Sequence, residues 1–276
     1  MLRQRVLTAL VLAPCVLGSI YFLPTTTVAI ILGLIILIGA WEWVSLSGLD
    51  SVQIKVAYIS LMTTLMIVSY PLINSSSISV FLAVACLWWF FCLFVIITSQ
   101  LRGELPSQKK ILFLFVGLLI LIPSWMSLLY LHGHPSLGPE WALFLLVLIW
   151  TADIGAYFAG RAFGRRKLAD KISPGKSWEG VIGGLVAVLI MSFLLLPYLI
   201  TTEEILTTLI LLCLVTVMFS VLGDLAESVV KRIAGKKDSG NILPGHGGVM
   251  DRIDSLTAAA PIFTAGLILS TYVPVL

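Results

Sequence analysis

Apolar runs of about twenty residues recur along this chain, the length an α-helix needs to cross a hydrocarbon core roughly 30 Å thick. They occupy residues 6–23, 28–46, 56–73, 79–97, 111–131, 141–160, 180–198, 205–223 and 255–273. The expected fold is an all-α integral membrane protein, a polytopic bundle of about nine transmembrane helices forming a single domain over residues 1–276. Charged residues make up only 11% of the chain and its mean hydropathy is +1.07. An ordinary soluble domain, with about 25% charged residues, is excluded.

Charge sets the orientation, because lysine and arginine concentrate in short cytoplasmic loops. With the N-terminus cytoplasmic, the inner segments are the chain start, 47–55, 98–110, 161–179 and 224–254, and all 17 Lys and Arg fall within them. The outer connections near 24–27, 74–78, 132–140 and 199–204 contain none. The net charge of +3 therefore reports topology and points to no nucleic-acid partner. The first run, preceded by Arg3 and Arg5, reads as a retained signal anchor because no small-x-small cleavage pattern follows. Cys15, Cys86, Cys92 and Cys213 lie in apolar spans without paired metal-ligand spacing and read as small buried hydrophobes.

The chemistry-bearing residues crowd into 220–254. Asp224 and Glu227 close one apolar run, and Asp251 and Asp254 open the next. Residues three apart share a helix face, so each pair can aim two carboxylates at one point. Four carboxylates near a bilayer surface repel one another unless a cation sits between them, and hard oxygen donors favour Mg²⁺. Between the pairs lie Lys231, Arg232, Lys236 and Lys237, then Asp238-Ser239-Gly240 and the loop Pro244-Gly245-His246-Gly247-Gly248. Glycines let backbone N–H groups approach an anion, and lysine and arginine neutralise it. Together they describe a metal-bound polyphosphate.

Asp153 lies inside the sixth run, ~10 Å before its cytoplasmic end. It is expected to face a cavity, a cation or a partner, with Tyr157 and Gly160 continuing its face. The loop 161–179 is strongly basic. Its Gly175-Lys176-Ser177 imitates the end of a P-loop, but Asp170 stands where that pattern needs glycine. Lys176 and Arg161 are assigned to substrate, and Arg165, Arg166 and Lys167 to lipid headgroups and topology. Glu179 reads equally as a helix-end charge or as support for the site. Glu42 reads first as an interfacial glutamate held by packing or a nearby cation, and second as a substrate contact. His132 and His134 read as a solvated outer turn.

One stretch carries a family likeness. Ser228-Val-Val-Lys231-Arg232, Lys237-Asp238, Pro244-Gly-His246-Gly-Gly248 and Asp251-Arg252-Ile-Asp254 together resemble the signature of the CDP-diacylglycerol synthase, or phosphatidate cytidylyltransferase, family. Asp153-x-x-Ala156-Tyr157, Gly160-Arg161 and Ser173-Pro-Gly-Lys176-Ser-Trp-Glu179-Gly180 resemble that family's more N-terminal segments. The first half resembles it only as a succession of spans, which puts the active-site half at about 141–276.

The resemblance implies a metal-dependent nucleotidyltransferase that converts CTP and phosphatidate to CDP-diacylglycerol and pyrophosphate. Its setting would be the cytoplasmic face of the bacterial inner membrane, among membrane lipids, with a homodimer left open. On that implication Asp224 and Asp251 hold Mg²⁺, and Asp254, Glu227 or Asp153 complete or orient the site; a second cation is left open. Lys231, Arg232, Lys237 and Arg252 neutralise phosphate or pair with a neighbouring carboxylate. Ser228 joins the metal shell or bonds within its helix. Gly247 and Gly248 admit phosphate, and His246 is a loop donor, a phosphate contact or part of a turn. A cation-coupled transporter is the rival outside enzymology, although it calls for broken or charged helices near the midplane. A CDP-alcohol phosphotransferase is the rival within it, although its aspartates are separated by three residues and Asp251 and Asp254 by two.

Overall fold

The computed structural model describes residues 13–102, 110–135, 138–200, 205–242 and 247–270. The apolar runs form α1 (Ala13–Phe22), α2 (Thr25–Leu46), α3 (Val52–Ser69, extended by a 3₁₀ turn at Tyr70–Leu72), α4 (Ile78–Arg102) and α5 (Lys110–Gly133). They continue as α6 (Gly138–Phe163), α7 (Trp178–Leu199), α8 (Leu206–Ile233) and α9 (Met250–Leu269). Among the described residues eight of these, α2 to α9, are long and apolar enough to cross a membrane. The expected first span, 6–23, is described only from residue 13.

Apolar residues surround most of these helices instead of forming a stripe, so small residues decide which faces meet. α9 is the hub: it packs on α8, α5, α4, α6 and α2, and its Ala258, Ala259 and Ala260 are fully buried. α6 and α7 run together along a seam of Gly155, Gly183 and Gly184. A Cβ on Gly155 would stand 2.7 Å from that of Ala187, and one on Gly183 would collide with the Ala159 methyl. Side-chain to backbone bonds tie α2 to α5: Trp125 Nε1 donates to Ala29 O at 3.1 Å and Trp43 Nε1 to Phe113 O at 2.6 Å. At the end of the bundle opposite the basic loops His132 is buried, bonded to Thr25 Oγ1 at 2.9 Å and Ile20 O at 2.8 Å. His134 is buried too, so the expected solvated histidine turn is corrected to a packed one.

The differences from the sequence expectation that shape the site lie at the basic end. α8 does not stop near residue 223 but continues to Ile233, because hydropathy falls where a helix leaves hydrocarbon, not where its backbone bonds stop. The stop is Gly235, at φ +66°, with its amide on Arg232 O and the Lys236 amide on Lys231 O, a Schellman closure that favours glycine. α9 begins at Met250, not 255, so Asp251 and Asp254 are helical. The basic loop after α6 contains a hairpin, β1 (Lys167–Ala169) antiparallel to β2 (Ser173–Ser177). Ser177 ends it and caps α7, its hydroxyl accepting from the Gly180 amide at 3.2 Å.

Gly183→Val is expected to lower stability in detergent by about 1–3 kcal/mol through overpacking of the α6–α7 seam. Thermal unfolding followed by fluorescence checks this, and an unchanged midpoint would contradict the seam.

Candidate active site

At the basic end α8 presents Asp224, Glu227, Ser228 and Lys231 on one face, since positions i, i+3, i+4 and i+7 share a side of a helix. α9 opposes it with Asp251 and Asp254. The backbones come close because Gly223 has no side chain; a Cβ there would stand 2.6 Å from Asp254 O. Lys231 Nζ lies 2.5 Å from Glu227 Oε2 and 2.6 Å from Asp251 Oδ1, so a single ammonium joins the helices. Those carboxylate side chains are 2% and 8% exposed, and they form the floor. Beside them Lys176 of β2 reaches Asp224 Oδ2 at 2.6 Å, with side chains 26% and 31% exposed; this pair forms the open side.

The remaining acids fall on either side. Asp254 is buried, within electrostatic range of Asp224, Glu227 and Lys176, and its Oδ1 accepts from the Ser255 amide at 2.7 Å. Asp153 is not covered by protein, yet it stands within electrostatic range of Asp224, Lys176 and Arg252. It therefore lines the open side. Ser228 donates a long bond, 3.4 Å, to Asp224 Oδ1.

The floor is held from below by a residue that the sequence reading placed at the interface. Glu42 of α2 is 3% exposed. Its carboxylate accepts from the Val249 amide at 3.1 Å, the Met250 amide at 2.8 Å and the Ser239 hydroxyl at 2.9 Å. Glu42 is thus buried and caps α9 from another helix. α9 has no side-chain cap of its own, and its positive N-terminal dipole stands where a cation was expected. The available signal was an acidic group within an otherwise apolar span, which is costly without a partner.

Asp251 is ringed by donors: the Ser239 amide at 2.9 Å and the Gly248 amide at 2.8 Å, besides Lys231, with the Ser239 hydroxyl, whose one proton Glu42 also draws on, at 3.0 Å. The glycines of this loop make room for carboxylates. A Cβ on Gly247, which has φ +83°, would stand 2.7 Å from Asp251 Oδ2, and one on Gly240 or Gly248 would collide with Glu42. The Gly248 amide therefore faces Asp251 and not the open side.

Other expected site residues are dispersed. Arg232 Nε donates to Ile172 O at 3.0 Å, which locks the hairpin onto α8. Arg161 donates to Tyr157 Oη at 3.1 Å, on the α6 face that also carries Asp153. Arg252 is exposed on α9 and Lys237 is exposed on the loop, while His246 lies outside the described residues. Glu179 takes the helix-end role, its carboxylate accepting the Arg165 and Arg166 amides at 3.0 and 3.2 Å.

Among the described residues no three Asp, Glu, His or Cys side chains stand together as a ready-made metal site. The donors nevertheless suit Mg²⁺, being all oxygen. Glu227 Oε1 is also buried without a hydrogen-bond partner among the described residues, beside Asp224 and Asp251.

Residues 3–269 match the model of the cytidylyltransferase family. The chain belongs to that family. It is 43% identical over 266 residues, 96% of both chains, to the phosphatidate cytidylyltransferase of Pseudomonas aeruginosa. It is 40% identical over 281 residues to that of Haemophilus influenzae, covering 96% of this chain and 98% of the relative. Against the Brucella suis protein of the same name identity is 47% over 137 residues, half of each chain. The protein is an enzyme, a nucleotidyltransferase, and every charged group assembled above lies within the matched span.

Lys231→Met is expected to destabilise this cytidylyltransferase by about 3–5 kcal/mol, because it strands two buried carboxylates. Thermal unfolding checks it; a loss under about 1 kcal/mol, the level of a surface ion pair, would show that Lys231 does not bridge the helices.

Proposed function

We propose that this enzyme is a phosphatidate cytidylyltransferase, forming CDP-diacylglycerol and pyrophosphate from CTP and phosphatidate on the cytoplasmic side of the bacterial inner membrane. The observation that carries the reading is the graded cluster. A rigid floor of Glu227, Lys231 and Asp251 lies beside an accessible Asp224–Lys176 pair, at the bundle end where lysine and arginine gather. A soluble nucleotide and a lipid headgroup meet at such a boundary. The near-full-length likeness to relatives of that name supports the same choice.

In the reaction a phosphatidate phosphate oxygen forms a bond to the α-phosphorus of CTP. The bond from that phosphorus to the oxygen bridging to the β-phosphate breaks, and pyrophosphate leaves with the electron pair. The nucleophile is already anionic, so no general base is required. Lys176 exchanges Asp224 for a phosphate oxygen as the nucleotide arrives, and Arg252 lies near enough to Asp153 to act on the same side. Arg161, with Tyr157, sits on the α6 face leading to Asp153 and receives the second phosphate. These cations stabilise charge that moves from the nucleophile to the leaving group.

Mg²⁺, when bound, neutralises the triphosphate and favours attack at its α-phosphorus. Asp224 and Asp254 would hold it, with Glu227 and Asp153 beside them, and Asp251 would join only in exchange for a loop amide, its bond to Lys231 kept. Asp224 is the group common to every version of this ligand set.

Purified protein supplied with phosphatidate, labelled CTP and Mg²⁺ is expected to produce labelled lipid and pyrophosphate in equal amounts. No labelled lipid across metals and detergents would overturn the proposal. Asp224→Asn is expected to lower kcat by about 10²–10³ in protein that still elutes as a single folded species; unchanged turnover would remove Asp224 from the reaction.

A further inference from the structure

We infer that Glu42 is a positioning residue for this reaction, acting from the first half of the chain through Ser239 and the start of α9 on the Asp251–Lys231 pair. The inference rests on the proposed activity for its kinetic part only. A continuous set of bonds runs from Glu42 to the Ser239 hydroxyl, from Ser239 to Asp251, and from Asp251 to Lys231 and Glu227. The Ser239 hydroxyl stands 2.9 Å from Glu42 and 3.0 Å from Asp251 with a single proton to give, so it serves one of them at a time, while the Ser239 amide donates to Asp251 throughout. Ser239 therefore clamps the two carboxylates together. Glu42 fixes the α9 N-terminus through Val249 and Met250, and Asp251 is the next residue of that first turn.

Stability alone does not explain a carboxylate at this place. A buried, hydrogen-bonded acid adds less to a span than a well-packed apolar side chain of similar volume. What it supplies is direction: three donors converge on one group, and the turn that carries Asp251 is left one orientation. With an amide in place of that carboxylate, one of the Val249 and Met250 amides loses its acceptor oxygen to an NH2 donor, the first turn of α9 loosens, and Lys231 keeps only Glu227 as a firm anchor. The accessible groups, Lys176, Asp224 and Arg252, remain. Binding of reactants therefore survives while their alignment does not.

The test is Glu42→Gln in the full-length protein. It is expected to lower kcat by about 10–100-fold, the usual cost of losing a group that orients a reactive one, with KM for CTP and phosphatidate within about threefold. Ser239→Ala is expected to lower kcat less, and the double variant to match Glu42→Gln alone, because both cut the same link. Trp125→Phe, which removes a bond to α2 at Ala29, serves as the stability control and is expected to leave kcat unchanged. Independently of activity, hydrogen exchange is expected to accelerate in Glu42→Gln at one or both of the Val249 and Met250 amides, which bond different oxygens of Glu42. A kcat within about twofold of wild type, or unchanged exchange at these amides, overturns the inference. If Glu42→Gln does not fold, Ser239→Ala decides by kcat: a fall with KM held supports the inference, and a kcat within about twofold of wild type overturns it. A wild-type protein that makes no product sinks the proposed reaction instead, and exchange alone then decides the role of Glu42.

Discussion

One ammonium group makes this bundle end a structure rather than a repulsion. Lys231 places its charge between Glu227 on its own helix and Asp251 on the next, at a depth where water screens little. Removing it would leave two carboxylates facing each other, with Asp224 and Asp254 close by, in a medium that amplifies their repulsion. α8 and α9 can carry four acids on facing surfaces because a cation from the same face lies between two of them, Lys176 pairs with Asp224, and the Ser255 amide meets Asp254.

From that bridge follows the division between a closed floor and an open side. Glu227, Asp251 and Lys231 are enclosed, whereas Asp224, Lys176 and Asp153 are reachable. Reactants that bring both phosphate and a metal can take over the Lys176–Asp224 pair without dismantling what holds the helices together. The glycines of the 235–248 connection serve this division. Gly235 ends α8, and Gly240, Gly247 and Gly248 let the loop lie against two carboxylates without collision.

The spans were legible in the sequence because twenty apolar residues need no knowledge of neighbours to imply a membrane helix. The paired acids of α8 and α9 were legible for a similar reason: a spacing of three defines a shared face locally. The end of α8 was not, since the drop in hydropathy at Asp224 precedes the glycine that terminates the helix. The hairpin was hidden by its short strands and by Pro174 and Gly175 within β2. Glu42 was hidden more deeply, because its partners lie 197, 207 and 208 residues away and two of them are backbone amides, which leave no mark in a side-chain pattern. Gly248 was misread for the same reason: a glycine that admits phosphate and one that admits a glutamate look alike in sequence.

The most direct measurement is a cryo-electron microscopy map of the protein in lipid nanodiscs, resolved to side chains at the α8–α9 contact. Lys231 is expected to stand within hydrogen-bonding distance of both Glu227 and Asp251, with Asp224 open toward the hairpin. A map in which Lys231 extends away to the headgroups while Glu227 and Asp251 face different sides of the bundle would contradict the bridge on which the site is built.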